Sequence, residues 1–457
     1  MGPLAEIALD AGFSVVGSDS SAGLMSNELE KRGVTISHDQ SGEFMSAEHA
    51  KAPFDWYVYT AALPAHHPEL LAARELGIHT GKRDALLAHI LAEKNQKLIA
   101  IAGTHGKTTT TGMMVWALQK SGVPVSYSIG TTLSWGPSGK FHPESEYFVY
   151  ECDEFDRNFL QFHPHLSLIT SVEWDHPDTY PTENDYFAAF GQFASQSQQL
   201  IMWSSDAARI APPANAWCLQ PNEVNDDIQL AGAHNRRNAT LVQKGLEWLE
   251  LADKRVARGG AAPSSSVRDE GADRDGAPAK PVSRGEATGP AGSDLRGNSE
   301  GISDDGSGDI QSLLSSFPGT NRRMEKLAEN LYSDYGHTPT EIKATLQLAR
   351  ELSGEVVLVY QPHQNIRQHE IYAQYTDEIF AEANAVYWLP TYLSREDPTL
   401  EILTPQHLTE NLKKDNLHLV NLNDELWTKL TAHRNAGALI LCMGAGDIDG
   451  WVRKQLG

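Results

Sequence analysis

Ile99–Met114 reads IAIAGTHGKTTTTGMM, and the order of residue types in it decides how the rest of the chain is read. An apolar run, Lys97 to Ala102 (KLIAIA), enters a turn holding Gly103 and Gly106, after which Lys107 and Thr108 open a helical stretch through Met113, Met114, Val115, Trp116 and Leu118. In such a strand–turn–helix unit, backbone N–H groups close on phosphate oxygens, the lysine reaches the terminal phosphates and the next hydroxyl binds magnesium. The longer form of the turn would place glycine at position 101, which is isoleucine, so this is the shorter Gly-x-x-Gly-Lys-Thr form. Gly103, Thr104, Gly106, Lys107, Thr108 and Thr109 are the expected phosphate-binding residues.

The same alternation of short apolar runs and helical stretches continues on both sides. Before the turn come Phe13–Gly17 (FSVVG) and Trp56–Thr60 (WYVYT); after it come Tyr147–Tyr150, Leu166–Ser171 and Leu200–Trp203; later come Val356–Tyr360, Ala385–Leu389 and Ala438–Met443. Strand and helix in alternation predict α/β architecture with parallel sheets. At roughly 150 residues per domain, 457 residues fit three such units. The reading is a Rossmann-like α/β domain over 1–94, a central P-loop-type domain over 95–314 and a Rossmann-like domain over 315–457. From 254 to 310 the chain is rich in Gly, Ala, Ser, Pro and Asp with almost no large apolar residue, the composition of a disordered insert.

Composition excludes several classes. With 37 basic and 60 acidic residues the net charge is −23, which argues against a nucleic-acid partner. Cys152, Cys218 and Cys442 are far apart and odd in number, so neither a disulfide framework nor a zinc ribbon is expected. No apolar run approaches the roughly 18 residues of a membrane span, and a secretory leader pattern is lacking. A cytoplasmic location without membrane contact is the expectation. The chain opens directly on GPLAEIAL, so the N-terminal unit is expected to lack its first strand and glycine-rich turn.

Further chemistry-bearing residues cluster at predicted strand ends, where open α/β sheets bind ligands. YECDEFD supplies Glu151 and VEWDHPDTY supplies His176; with Thr108 they make a candidate Mg2+ set. The stretch Glu144–Asp185 holds 11 acidic residues against one basic residue, Arg157. LAGAHNRRNATLV offers His234, Asn235 and Asn238, whose polar groups fit an adenine edge or a helix start. After the insert come Arg322 and Arg323, suited to a phosphate clamp, then Asp334 and His337, then His363 and Arg367.

Taken in order, AGTHGKTTTT, ECDEFD, DHPDTY, AHNRRNA, NRRMEK, SDYGHTPTEI, QPH and MGAGDI resemble the Mur ligase family of ATP-dependent amide-forming enzymes of peptidoglycan synthesis. The resemblance implies an N-terminal UDP-sugar domain, a central ATPase and a C-terminal domain that brings the amino acid. It looks closest to members joining L-alanine to UDP-N-acetylmuramate through an acyl phosphate. By resemblance, Lys107 holds the β- and γ-phosphates, Thr108 one Mg2+, and Glu151 and His176 a second. Asn238, with His234 and Asn235, contacts adenine, Arg323 the γ-phosphate and Asp334 the ribose, while His337, His363 and Arg367 face the substrates. Family members usually read Gln-Pro-His-Arg-x-x-Arg where this chain has Gln364 in place of the first arginine, which bears on the choice of amino acid. Two alternatives stay open: a sister ligase that attaches a tripeptide to the same sugar, and a nonenzymatic nucleotide-binding homologue.

Overall fold

The computed structural model describes residues 1–21, 24–60, 63–177, 179–257, 306–394, 396–413 and 415–457. Its centre is a seven-stranded sheet ordered β11-β10-β9-β5-β8-β6-β7. The strands are β5 (Lys97–Ala102), β6 (Val125–Ser128), β7 (Gly139–Lys140), β8 (Tyr147–Glu151), β9 (Leu166–Ile169), β10 (Gln199–Trp203) and β11 (Trp217–Leu219), parallel except for the β6–β7 pair. Successive side chains of a strand point to opposite faces. Leu98, Ala100 and Ala102 accordingly enter one apolar core, and Ile99 and Ile101 the core on the other face. A strand buried on both faces reads as an unbroken apolar run, which is why KLIAIA was legible from sequence.

Topology positions the site. β5 lies between β8 and β9, with Ile101 level with Glu151 and Ala102 level with Ile169. The glycine turn after β5, the acidic segment after β8 and the 170–176 segment after β9 therefore leave the sheet side by side.

A six-stranded sheet, β12-β13-β17-β14-β15-β16, follows. Its strands are β12 (Glu325–Ala328), β13 (Leu331–Asp334), β14 (Val356–Tyr360), β15 (Ala385–Trp388), β16 (Leu417–Leu419) and β17 (Leu439–Met443), with only β12–β13 antiparallel. Val356, Leu358 and Tyr360 face one core and Val357 and Val359 the other. Asp334 and Tyr360 both stand level with Met443, so this sheet too gathers its loops at one edge.

The first segment keeps the parallel pairing expected of it, split into short pieces. Among the described residues it holds two separate parallel pairs, β1 (Val16–Ser18) with β2 (Thr35–Ser37) and β3 (Trp56–Tyr59) with β4 (His79–Lys82). FSVVG yields strand only from Val16, because Phe13 and Val15 pack as partly buried residues beside the core instead of pairing. Helices Gly2–Asp10 and Arg83–Glu93 send Leu4, Ile7, Leu87 and Ile90 into the core beneath the central sheet. The predicted insert, 254–310, lies mostly outside the described residues. At its edges the assignment changes, since helix Ala233–Ala257 continues through 254–257 and helix Gly306–Ser315 begins before 310. No helix among the described residues is long and apolar enough to cross a membrane.

Candidate functional site

The turn after β5 adopts backbone angles that favour glycine. Gly103 has φ +132° and Gly106, the residue preceding helix Lys107–Lys120, has φ +83°. A Cβ on Gly103 would come 2.3 Å from Thr170 Oγ1, so the turn is both left-handed and closely packed. The helix then opens on Thr108–Thr111, four β-branched residues that are poor helix formers. Two of them are used locally: Thr108 Oγ1 donates to Glu151 Oε1 at 2.7 Å and Thr111 Oγ1 to the Lys107 carbonyl at 2.9 Å. Thr104 is pinned from behind, its hydroxyl donating to the Glu173 carbonyl at 2.8 Å.

Lys107 meets a residue that sequence reasoning passed over. Its Nζ lies 2.7 and 3.0 Å from the two carboxylate oxygens of Glu154, which is 1% exposed. Burial opposes the lysine's charge, but Glu154 and Asp153 outweigh it and raise its pKa. His176, at φ +57°, sets Nε2 3.7 Å from Glu154 Oε1. The expected Thr108–Glu151–His176 set is thus found as two contacts, Thr108 with Glu151 and His176 with Glu154, on either side of Lys107. Asp153, Glu154 and His176 bring ligand atoms within 4.8 Å of one another. Oxygen-rich donors of this kind fit a hard divalent cation. The motif ECDEFD had put Glu154 in view; only its burial against Lys107 was hidden, because that depends on the turn after β8.

The two residues that open the helix line different cavities. Thr108, with Gly106, Thr109, His234, Asn235, Asn238, Arg323 and Asp334, borders a cleft of about 600 Å3 between the two large sheets. Lys107 and Glu151 border a second, of about 510 Å3, closed by Pro3, Leu4, Arg83, Ser128, Thr131 and Thr132. Arg83 carries no sequence signal beyond its charge; the fold of the first segment brings it there.

In the first cleft Asn238 packs on the glycine turn, since a Cβ on Gly106 would lie 3.0 Å from its Nδ2. Asn235 donates to the Ala231 carbonyl at 2.9 Å, a helix-start role. His234 is held neutral, its pKa lowered to about 4 by burial and then by Arg323, and its Nδ1 has no partner among the described residues. Both carboxylate oxygens of Asp334 accept backbone N–H groups, from Gly336 and Met324, each at 2.8 Å; burial raises its pKa in spite of Arg323. Arg323 approaches Glu341 at 3.5 Å. Arg322 turns away, donating to the Gly444 carbonyl at 3.0 Å.

His337, His363 and Arg367 form a separate group. The rings of His337 and His363 lie 5.6 Å apart, and His363 stacks on Tyr392 with 9° between planes. Burial, then His337, lowers the His363 pKa to about 4. Arg367 forms an ion pair with Asp175, next to His176, across the boundary between the two large sheets. Gln364 precedes helix Asn365–Ile371 at φ +58°, with its N–H donating to the Tyr392 carbonyl at 2.8 Å.

At the far end of the cleft the start of helix Ala233–Ala257 is capped from the other domain. Gly232 N–H donates to Glu351 Oε2 at 2.8 Å, and Arg236 makes two 2.9 Å bonds to the same carboxylate. Arg236 first, then the Gly232 N–H, hold Glu351 at about 2 against an ordinary 4.5. A depressed carboxyl contributes stability above its unfolded pKa and loses it as pH falls through its folded one. Thermal melts between pH 5 and 2 should show an acid limb that Arg236→Ala flattens, by no more than about 1 kcal/mol because the pair is solvent-screened.

The chain also matches known proteins along most of its length. Three family models match in chain order: the Mur ligase family catalytic domain over 1–95, the Mur ligase middle domain over 101–217 and the Mur ligase glutamate ligase domain over 322–446. The UDP-N-acetylmuramate–L-alanine ligase of Carboxydothermus hydrogenoformans is 30% identical over 100% of this chain and 94% of its own length. That of a Nocardioides species is 30% identical over 99% and 92%. Among solved structures, the UDP-N-acetylmuramate–alanine ligase of Thermotoga maritima shares the fold, with a TM-score of 0.66 at 19% identity over 100% of this chain and 95% of that one. Three family models matched in order over most of the chain, and relatives 30% identical along almost their full length, lead to one assignment: the chain belongs to the Mur ligase family of enzymes.

Proposed function

We propose that the protein joins L-alanine to UDP-N-acetylmuramate, cleaving ATP to ADP and phosphate in peptidoglycan precursor synthesis. The observation that carries this reading is the division of labour at one helix start, with Thr108 on the cleft between the large sheets and Lys107 on the cavity beside the first segment. ATP in the first cleft and the sugar's carboxylate in the second would meet across the phosphate loop. The names of the full-length relatives support the substrates.

The residue chemistry suits the steps. A carboxylate is a poor electrophile, so its oxygen first attacks the γ-phosphorus, and ADP departs with the bond electrons. The amine of the amino acid then attacks the acyl carbon; a tetrahedral intermediate collapses to the amide, phosphate leaves with the C–O electrons, and the amine gives up its proton. Positioning and charge neutralisation do most of this work. Lys107 and Arg323 are the cations for the transferred phosphoryl group. Glu154 holds the Lys107 ammonium at the loop until phosphate oxygens compete for it. His234 would offer an unpartnered ring nitrogen and Asn238 an amide toward the adenine, and Asp334 would accept from a ribose hydroxyl. His337, His363 and Arg367 border the amino-acid side. Thr108, Glu151 and His176, joined by Asp153 and Glu154, would hold Mg2+, which would supply positive charge to offset the negative charge of the phosphates and the carboxylate.

Purified protein should release phosphate from ATP only with UDP-N-acetylmuramate and L-alanine both present, followed by a coupled ADP assay. Release that ignores the sugar rules this reading out. Gln364, together with the engagement of Arg367 by Asp175, favours testing one second reading by offering the tripeptide in place of L-alanine.

A further inference from the structure

His105, in the middle of the glycine turn, reaches out of the central domain. Its backbone is fixed: the N–H donates to Ser171 Oγ at 3.0 Å and the carbonyl accepts from the Thr170 hydroxyl. Its ring therefore has a fixed origin. Nε2 lies 3.3 Å from Glu173 Oε2 and Nδ1 lies 3.8 Å from Glu341 Oε1. Glu173 belongs to the central domain and is tied to the same turn, its N–H donating to Thr104 Oγ1 at 2.8 Å. Glu341 belongs to the C-terminal domain, in the first turn of helix Pro339–Leu352, where its other oxygen takes the N–H groups of His337 at 2.9 Å and Thr338 at 3.2 Å.

Glu341 Oε1 also faces Arg323 at 3.5 Å. One carboxylate oxygen is thus shared by a cation from each domain, and both line the same cleft. Burial works against a charge on His105, but Glu173 and Glu341 outweigh it and raise its pKa to about 9. The same neighbours, His105 and His337 with Arg323, hold Glu341 well below the carboxylate range against the opposing effect of burial. Near neutral pH this is a bridge of one imidazolium between two carboxylates.

We propose that His105 is a positioning residue that ties the phosphate loop to docking of the C-terminal domain, by bridging Glu173 and Glu341 and by sharing Glu341 so that Arg323 stays available to the nucleotide. The cleft is built from both domains, with His234 and Asn238 on one side and Arg323 and Asp334 on the other. Weaker docking lowers the fraction of molecules competent to bind nucleotide, and the apparent affinity falls by that fraction. Saturating nucleotide restores the docked state, so the turnover number is nearly kept. The inference rests on reading this cleft as the ATP site.

The test is steady-state kinetics of the full chain with both co-substrates, for wild type, His105→Asn, Glu173→Gln and the double variant. Each single variant should raise KM for ATP about tenfold with kcat within about threefold. The double variant should match the worse single, because both break one bridge. Both single variants leaving KM for ATP within about twofold of wild type overturns the proposal, as does a double variant whose effects multiply. Glu173 has a half-exposed side chain, so Glu173→Gln alone decides the matter if His105→Asn fails to fold. A wild-type protein with no ATP turnover in this assay would instead sink the reading of the cleft, a result separable from the others.

Discussion

Lys107→Ala is expected to lower kcat/KM by about 10³-fold, roughly 4 kcal/mol of transition-state stabilisation, measured by phosphate release at saturating co-substrates. In the proposed reaction the lysine neutralises charge on the transferred phosphoryl group, and no neighbouring residue of the loop is cationic except His105, which is committed to two carboxylates. The same substitution leaves Glu154 buried without its ammonium, so a loss of about 3 kcal/mol in stability should accompany it. The two effects can be parted. Adding Glu154→Gln to Lys107→Ala should recover most of the melting temperature while activity stays lost. If the double variant recovers turnover, the defect was in folding and the phosphate role of Lys107 is wrong.

Glu151→Gln should lower kcat about 10²-fold and move half-saturation by Mg2+ at least about tenfold higher, with the melting temperature nearly unchanged. Glutamine keeps the shape: its carbonyl oxygen can still accept the Gly130 N–H, bonded at 2.8 Å in the native site, and its NH2 can donate to Thr108 Oγ1, whose hydroxyl turns to accept, so the main change is the lost charge. A Mg2+ titration at fixed ATP separates this from lost packing: a variant with wild-type Mg2+ dependence contradicts the ligand assignment, whatever its rate. Glu154 is the informative contrast, because its carboxylate is needed by Lys107 and His176 before any cation arrives.

Those two carboxylates also mark how far the sequence could be read. β5 and β14 were legible to the residue because both of their faces are buried, which leaves an uninterrupted apolar run. β13, which ends in Asp334, was not, since Leu-Tyr-Ser-Asp has no such run and gains its order from pairing with β12 and β17. The short strands β2 and β4, Thr-Ile-Ser and His-Thr-Gly-Lys, have even less to show and form only because a partner lies alongside. At the site, Lys107, Thr108 and Glu151 were readable because each directly follows a recognisable strand or turn. Arg83, Glu154, Glu173 and Glu341 were not, because their importance comes from what they touch across 47 to 236 positions of chain, as with Glu154 and Lys107 or Glu341 and His105. Asp175 is the partner that changes the meaning of a residue already chosen: Arg367 looked free for a substrate carboxylate and is instead tied to the central domain.

The apolar cores divide the molecule differently from its sheets. Leu4, Ile7, Leu87 and Ile90 of the first segment share one core with Leu98 and Phe148 of the central sheet and Phe159 and Phe190 of the helices packed on it, while the two large C-terminal cores draw only on residues from Met324 onward. None of the strands β1 to β4 contains a fully buried residue. Apart from one small cluster of its own around Met45, Ala73 and Ile78, the first segment draws its cohesion from the central domain, and its cooperativity follows. In thermodynamic terms the chain is two units, not three: the boundary between residues that melt together and residues that can unfold alone runs beside the cleft between the two large sheets, where polar bridges, not a shared core, hold the halves together.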